Sequence, residues 1–136
     1  MEAGGIMGYK FIEHTSDVMI EAEGGTFEHT LEDLAAGMFH HMGCEDAVEK
    51  DNFTVEVKAE NNEELVVKFL SEILAECEIN GFLPKRIIVE KNNLEIKAEV
   101  HGEKKLSENI IKGVTYHQLK VEKTEKGWLM RVLFDI

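Results

Sequence analysis

The last strand-like run of the chain, Trp128-Leu129-Met130-Arg131-Val132-Leu133-Phe134-Asp135, is apolar at both odd and even positions. Successive strand side chains point to opposite faces, so such a run is buried only where both faces are covered. Residues 128–135 are therefore expected in the middle of a sheet. The other strand candidates are one-sided. Val18, Ile20 and Ala22 alternate with Asp17, Met19, Glu21 and Glu23. Phe53, Val55, Val57 and Ala59 alternate with Thr54, Glu56, Lys58 and Glu60. A period of two with one apolar set predicts half-buried strands.

Two segments have helical spacing instead. Thr26 is expected to cap a helix with the stripe Phe27, Leu31, Leu34, Ala35, Met38, Phe39 and Met42, ended by Gly43. Asn62 is expected to cap a second, with Glu63 and Glu64 in its electropositive first turn. Its stripe is Leu65, Val66, Phe69, Leu70, Ile73, Leu74 and Cys77, closed by Gly81. Tyr9–His14 reads as a short strand. Arg86–Glu90 and Leu94–Val100 read as a hairpin across Asn92-Asn93, and His101–Lys112 as a charged loop. Val114–Glu122 then joins Trp128–Asp135 across Lys123–Gly127. The order is ββαβαββββ. Helices with one apolar stripe cover one face of a sheet, which predicts an α+β fold. The expectation is a single two-layer domain with a mixed or antiparallel β-sheet and two helices. Residues 1–8 are expected to be a flexible leader, with Met7 an alternative start, and 9–136 the domain.

Charge narrows the function. Against 15 Lys and Arg stand 27 Asp and Glu, a net charge of -12. That field repels phosphate backbones, so no direct nucleic-acid binding is expected; cations or a basic protein partner fit better. No apolar run approaches the ~18–20 residues of a membrane span, and the N-terminus lacks a signal-peptide core. Cys44 and Cys77, each in a helical stretch and outside any CxxC pattern, read as reduced apolar residues. A cytoplasmic protein with no membrane attachment is the expectation.

The chain ends in Phe134-Asp135-Ile136, so the α-carboxylate of Ile136 adjoins Asp135. If strand pairing brings Asp17 alongside, three carboxylates converge and repel one another unless a cation joins them. An all-oxygen set suits a hard divalent cation, Ca²⁺ or Mg²⁺. The plainer reading is two unrelated surface acids, or Asp17 satisfying local backbone amides. Glu13-His14-Thr15-Ser16-Asp17 holds triad-type residues, but neighbours in a strand point apart and such triads are spatial, so His14 reads as structural. His40 and His41, in the last turn of the first helix, complement its dipole, and no zinc spacing surrounds them. Lys112-Gly113-Val114-Thr115-Tyr116-His117 enters a strand with a cation, a hydroxyl, a phenol and an imidazole. Its plainer reading is a polar strand face.

These residues together resemble one family. Glu13-His14-Thr15-Ser16-Asp17-Val18 is similar to the EHTADI-type opening of the archeases, with Ser16 in place of Ala. Thr26-Phe27-Glu28 through Ala35-Ala36-Gly37-Met38-Phe39 resembles their first helix. Lys112 to His117 resembles their K-A-V-T-Y-H segment, with Gly113 in place of Ala, and Val132 to Ile136 their V-x-F-D-I terminus. The four motifs keep the family's order and spacing from about Tyr9 to the last residue. The resemblance implies a non-catalytic protein cofactor of an RtcB-type RNA ligase in tRNA splicing. Such a cofactor promotes GTP-dependent guanylylation and multiple turnover of the ligase. It also implies a metal site on Asp17, Asp135 and Ile136. His14, Lys112, Tyr116 and His117 are partner-contact candidates. Two other readings stay open. One is a chaperone-like modulator of another tRNA-modifying enzyme, such as a tRNA methyltransferase. The other is a small metal-dependent hydrolase, for which no nucleophile or general base is evident.

Overall fold

A computed structural model describes residues 8–12, 17–106 and 110–136. Most of the expected leader, residues 1–7, lies outside the described residues. The element order is β1 (Tyr9–Ile12), β2 (Asp17–Gly24), α1 (Phe27–His41), β3 (Asp51–Lys58), α2 (Asn62–Asn80), β4 (Phe82–Asn92), β5 (Glu95–Lys104), β6 (Gly113–Thr124) and β7 (Gly127–Asp135). The expected α+β class and order are those observed. The strands form two sheets, β1-β2-β7-β6 and β3-β5-β4, in which every pair is antiparallel. Each helix packs on strands of both sheets, which gives the molecule one shared core.

The local signals act largely as expected. Thr26 caps α1, its hydroxyl oxygen accepting the His29 N–H at 3.0 Å. Gly43 follows with φ +77 and donates to the His40 carbonyl, ending the helix in a left-handed residue. The second cap falls one residue earlier than expected. It is Asn61, whose side-chain oxygen accepts from Glu64 N at 2.8 Å while its backbone is still extended. α1 lies against β1 and β2 at unusually close range. A Cβ on Gly37 would come within 2.8 Å of the Tyr9 ring and 2.9 Å of Ile20. Between two such surfaces only a glycine lets backbone and ring approach so closely.

Strand β7 is central, between β2 and β6, as its two-sided apolarity requires. Val132 and Phe134 join the main core, while Leu133, 2% exposed, pairs in register with Met19, 3% exposed, on the opposite face. Three boundaries differ from expectation. β4 begins at Phe82 and passes Pro84 through an irregularity in register between Pro84 and Arg86. The hairpin turn is Asn93-Leu94, with Asn93 at φ 57. β5 runs on through His101–Lys104, residues expected in a loop. Gly102 lets this stretch pair with β4, because a Cβ there would run into the Leu83 carbonyl. Cys44 lies just beyond α1 rather than within it; both thiols are free and buried.

Candidate functional site

The antiparallel register of β2 and β7 sets Asp17 directly opposite Asp135. On the other side of β7, Gly113 pairs with Asp135, and the Lys112 N–H donates to the Asp135 carbonyl oxygen at 2.6 Å. One end of the four-stranded sheet thus gathers Asp17, Asp135, Lys112 and Ile136. Asp17 is half-buried, Asp135 and Lys112 are exposed, and Ile136 is 41% exposed. Directly opposed residues have Cβ atoms ~4.5–5.5 Å apart, within reach of a shared cation. Among the described residues no three His, Cys, Asp or Glu side chains group as a metal site. The side chains therefore contribute two carboxylates here, and Ile136, the third residue expected at the site, adjoins Asp135 in the chain. An all-oxygen donor set of this charge fits a hard divalent cation and offers nothing to a thiophilic one.

Two positions further along the same face lies a second charged group, which the alternation pattern had marked as solvent-facing. Glu21 is 5% exposed. Its Oε1 accepts from Arg131 Nε at 3.0 Å and Nη2 at 2.7 Å, and Lys10 Nζ lies 3.1 Å from Oε2. Burial pushes the Glu21 carboxyl up, but the hydrogen bonds and charges of Arg131 and Lys10 outweigh it and hold the group below its ordinary range. No local signal reveals this arrangement, since Arg131 is 110 residues away from Glu21.

The partner-contact candidates separate. His14 lies outside the described residues. Lys112 is at the two-aspartate corner. Tyr116 and His117 stand on a bulge: β6 pairs with β7 at Thr115↔Leu133 and again only at Lys120↔Arg131. The expected regular strand is interrupted there, and Gln118 takes φ 58. The helix-end histidines are structural. His40 Nδ1 lies 3.0 Å from the Tyr9 hydroxyl, and its Nε2 lies 3.4 Å from Glu45. Burial, with His40 adjacent, lowers the pKa of His41.

The architecture is an α+β domain of two antiparallel sheets whose first long strand and last strand meet in a pair of aspartates. The profile of the Archease protein family matches residues 9–136, and the chain belongs to that family. It is 34% identical to the protein archease of Methanosarcina mazei, over 94% of this chain and 95% of that one. It is 32% identical to the protein archease of Thermococcus kodakarensis, over 94% and 98%. A solution structure of a Methanobacterium thermoautotrophicum protein shares the fold with a TM-score of 0.78 at 22% identity, covering 96% of this chain and 99% of that one. The crystal structure of an archease from Thermotoga maritima, described as a possible chaperone, gives a TM-score of 0.67 at 26% identity over 92% and 94%.

Proposed function

We propose that this chain is a non-catalytic activator of an RtcB-type RNA ligase in tRNA splicing, promoting GTP-dependent guanylylation and turnover of the ligase. Membership of the archease family supports the reading, and the Asp17–Asp135 pair carries its chemical part. Asp17, Asp135 and the Ile136 carboxylate hold a divalent cation, Ca²⁺ or Mg²⁺, in this proposal. A bound cation would cancel the repulsion of the carboxylates and offer positive charge to phosphate oxygens at the partner's surface. The protein's own part is to fix two carboxylates at one register position and present them at the rim of a sheet. The acidic surface complements a basic, cation-rich ligase site rather than RNA itself.

The test is guanylylation of the matching ligase with GTP, with wild type, Asp17→Ala and a chain extended past Ile136. Stimulation by wild type alone supports both the activator role and the corner. Stimulation by all three keeps the role and removes the corner; no stimulation by any overturns the proposal. In that last case the alternative becomes a chaperone-like modulator of another tRNA-modifying enzyme, such as a tRNA methyltransferase. That reading is favoured by the description of the Thermotoga relative as a possible chaperone.

A further inference from the structure

We infer that the bulge of β6, Tyr116–Leu119, is a preformed plug that enters an acidic-rimmed pocket on the protein partner. Tyr116 is the anchor and His117 lies beside it. The inference rests on the ligase-activator reading and adds to it the surface and the chemistry of recognition.

Shape is the first support. Between the pairs Thr115↔Leu133 and Lys120↔Arg131, four residues of β6 stand opposite Val132 alone. An ordinary bulge adds one residue, so this one must project from the sheet. Both of its ends are tied: the His117 N–H donates to Thr115 Oγ1 at 2.9 Å, and Leu119 packs onto the core. Gln118 holds φ 58, a left-handed conformation without glycine's freedom. Strain of this kind persists where the surroundings impose it and collects at ligand clamps and contact sites.

Chemistry is the second. Tyr116 is 57% exposed, the only Phe, Tyr or Trp ring among the described residues with more than half its surface in water. An exposed tyrosine on a fixed backbone gives a large contact area at low entropic cost, as interface anchors do. Lys120, exposed, directly follows the bulge and is paired in register with Arg131, in a chain of net charge -12. The surface that receives it is therefore acidic at its rim. Gly113, at the start of the same strand, pairs with Asp135, so docking the bulge brings the two-aspartate corner to the partner in a fixed orientation.

The experiment measures binding of the matching RNA ligase to the full chain at two salt concentrations. The variants are Tyr116→Ala, His117→Ala, Lys120→Glu and, on the outer face of the other sheet, Glu56→Gln. Each is checked first for wild-type circular dichroism and melting. Tyr116→Ala is expected to weaken binding about tenfold or more, as loss of an anchor does. His117→Ala should weaken it less, Lys120→Glu should slow association and flatten its salt dependence, and Glu56→Gln should bind as wild type. Wild type that binds while Tyr116→Ala and His117→Ala bind equally well overturns the plug and leaves the activator reading intact. Wild type that does not bind the ligase overturns the activator reading itself. Binding of a labelled tRNA half by wild type, lost in Tyr116→Ala, would assign the ring to a nucleobase and overturn the protein pocket.

Discussion

Asp17 and Asp135 face each other across β2 and β7, two carboxylates at one register position. Like charges directly opposite in a sheet are destabilising, by roughly 0.2–1 kcal/mol, so the arrangement is tolerated at a cost. If the corner holds Ca²⁺ or Mg²⁺, the cation stabilises the fold by about 2.7 kcal/mol at a hundredfold excess over its Kd. Thermal melts with and without EDTA should show this as a fall in Tm for wild type. Asp17→Asn should melt alike in both buffers. A cation-induced rise that survives Asp17→Asn would place the ion elsewhere.

Two glycines should respond in opposite directions to alanine. At Gly37 the added methyl meets the Tyr9 ring and Ile20, so Gly37→Ala forces α1 off the sheet, at a cost of about 1–3 kcal/mol. At Gly113 nothing lies within 4 Å of the new Cβ. Gly113→Ala should stabilise by about 0.5–1 kcal/mol through the unfolded chain. Urea midpoints of the two variants decide the matter.

Acid should destabilise the protein in two stages. The neutral form of His41 is favoured by burial, so the unfolded chain takes up that proton first, from its ordinary value near 6.5 downward. Glu21 has its folded pKa held below the ordinary 4.5; its contribution is complete above that value and is lost as pH falls through the folded one. Asp33, raised by burial, works in the opposite sense over a similar range. Chemical denaturation from pH 7 to about 3 should show falling stability, with the lower stage flattened in Glu21→Gln. Arg131→Ala should cost about 1–3 kcal/mol at pH 7, less than a fully buried pair because Arg131 is partly in water.

Glu32 closes an edge. Strand β4 is the outer strand of its sheet, and its Val89 N–H donates to Glu32 Oε2 at 2.8 Å. Removing the carboxylate strands a part-buried donor, a loss of about 1–3 kcal/mol, and bares a strand edge. Glu32→Ala should therefore elute partly as dimer at high concentration, whereas Glu32→Gln, which keeps an acceptor oxygen, should stay near wild type. Light scattering across a concentration series separates these outcomes.

Much of this architecture can be read from local pattern, because its causes are local. Thr26 announces α1 through its own hydroxyl, and the two-sided apolarity of residues 128–134 requires a central β7. What escaped the sequence depends on distant partners. Glu21 looks like the exposed half of an alternating strand, and only the register with Arg131 and Lys10 encloses it. Asn61 and Asn62 are chemically the same cap, separated only by which one keeps an extended backbone. The charged run His101–Lys104 pairs because Gly102 makes room for Leu83. The bulge carries no glycine or asparagine to mark its left-handed residue, so Gln118 gave no warning. At the corner itself, the register supplies the Asp17–Asp135 pairing that the residues alone left conditional.

The thiols offer a check on packing. Burial raises Cys44 to about 11 and Cys77 to about 12. Near neutral pH both remain protonated and poorly nucleophilic, so native protein should react with Ellman's reagent only at the rate of global opening. Above the ordinary thiol range the unfolded chain loses these protons first. Their contribution to stability should then decline as pH climbs from about 9 through the folded values.

The pairing of β2 with β7 also fixes when the two-aspartate corner can exist. Contacts that join Glu21 to Arg131 close a loop of 110 residues, among the slowest events available to a small domain. On the ribosome β2 and α1 emerge early, yet β2 lacks its main neighbour until the hairpin of β6 and β7 has left the exit tunnel. No nascent intermediate can display the two aspartates together. Partner recognition through them would then report that synthesis has reached the last strand, and truncated chains would fail to engage the partner through this corner.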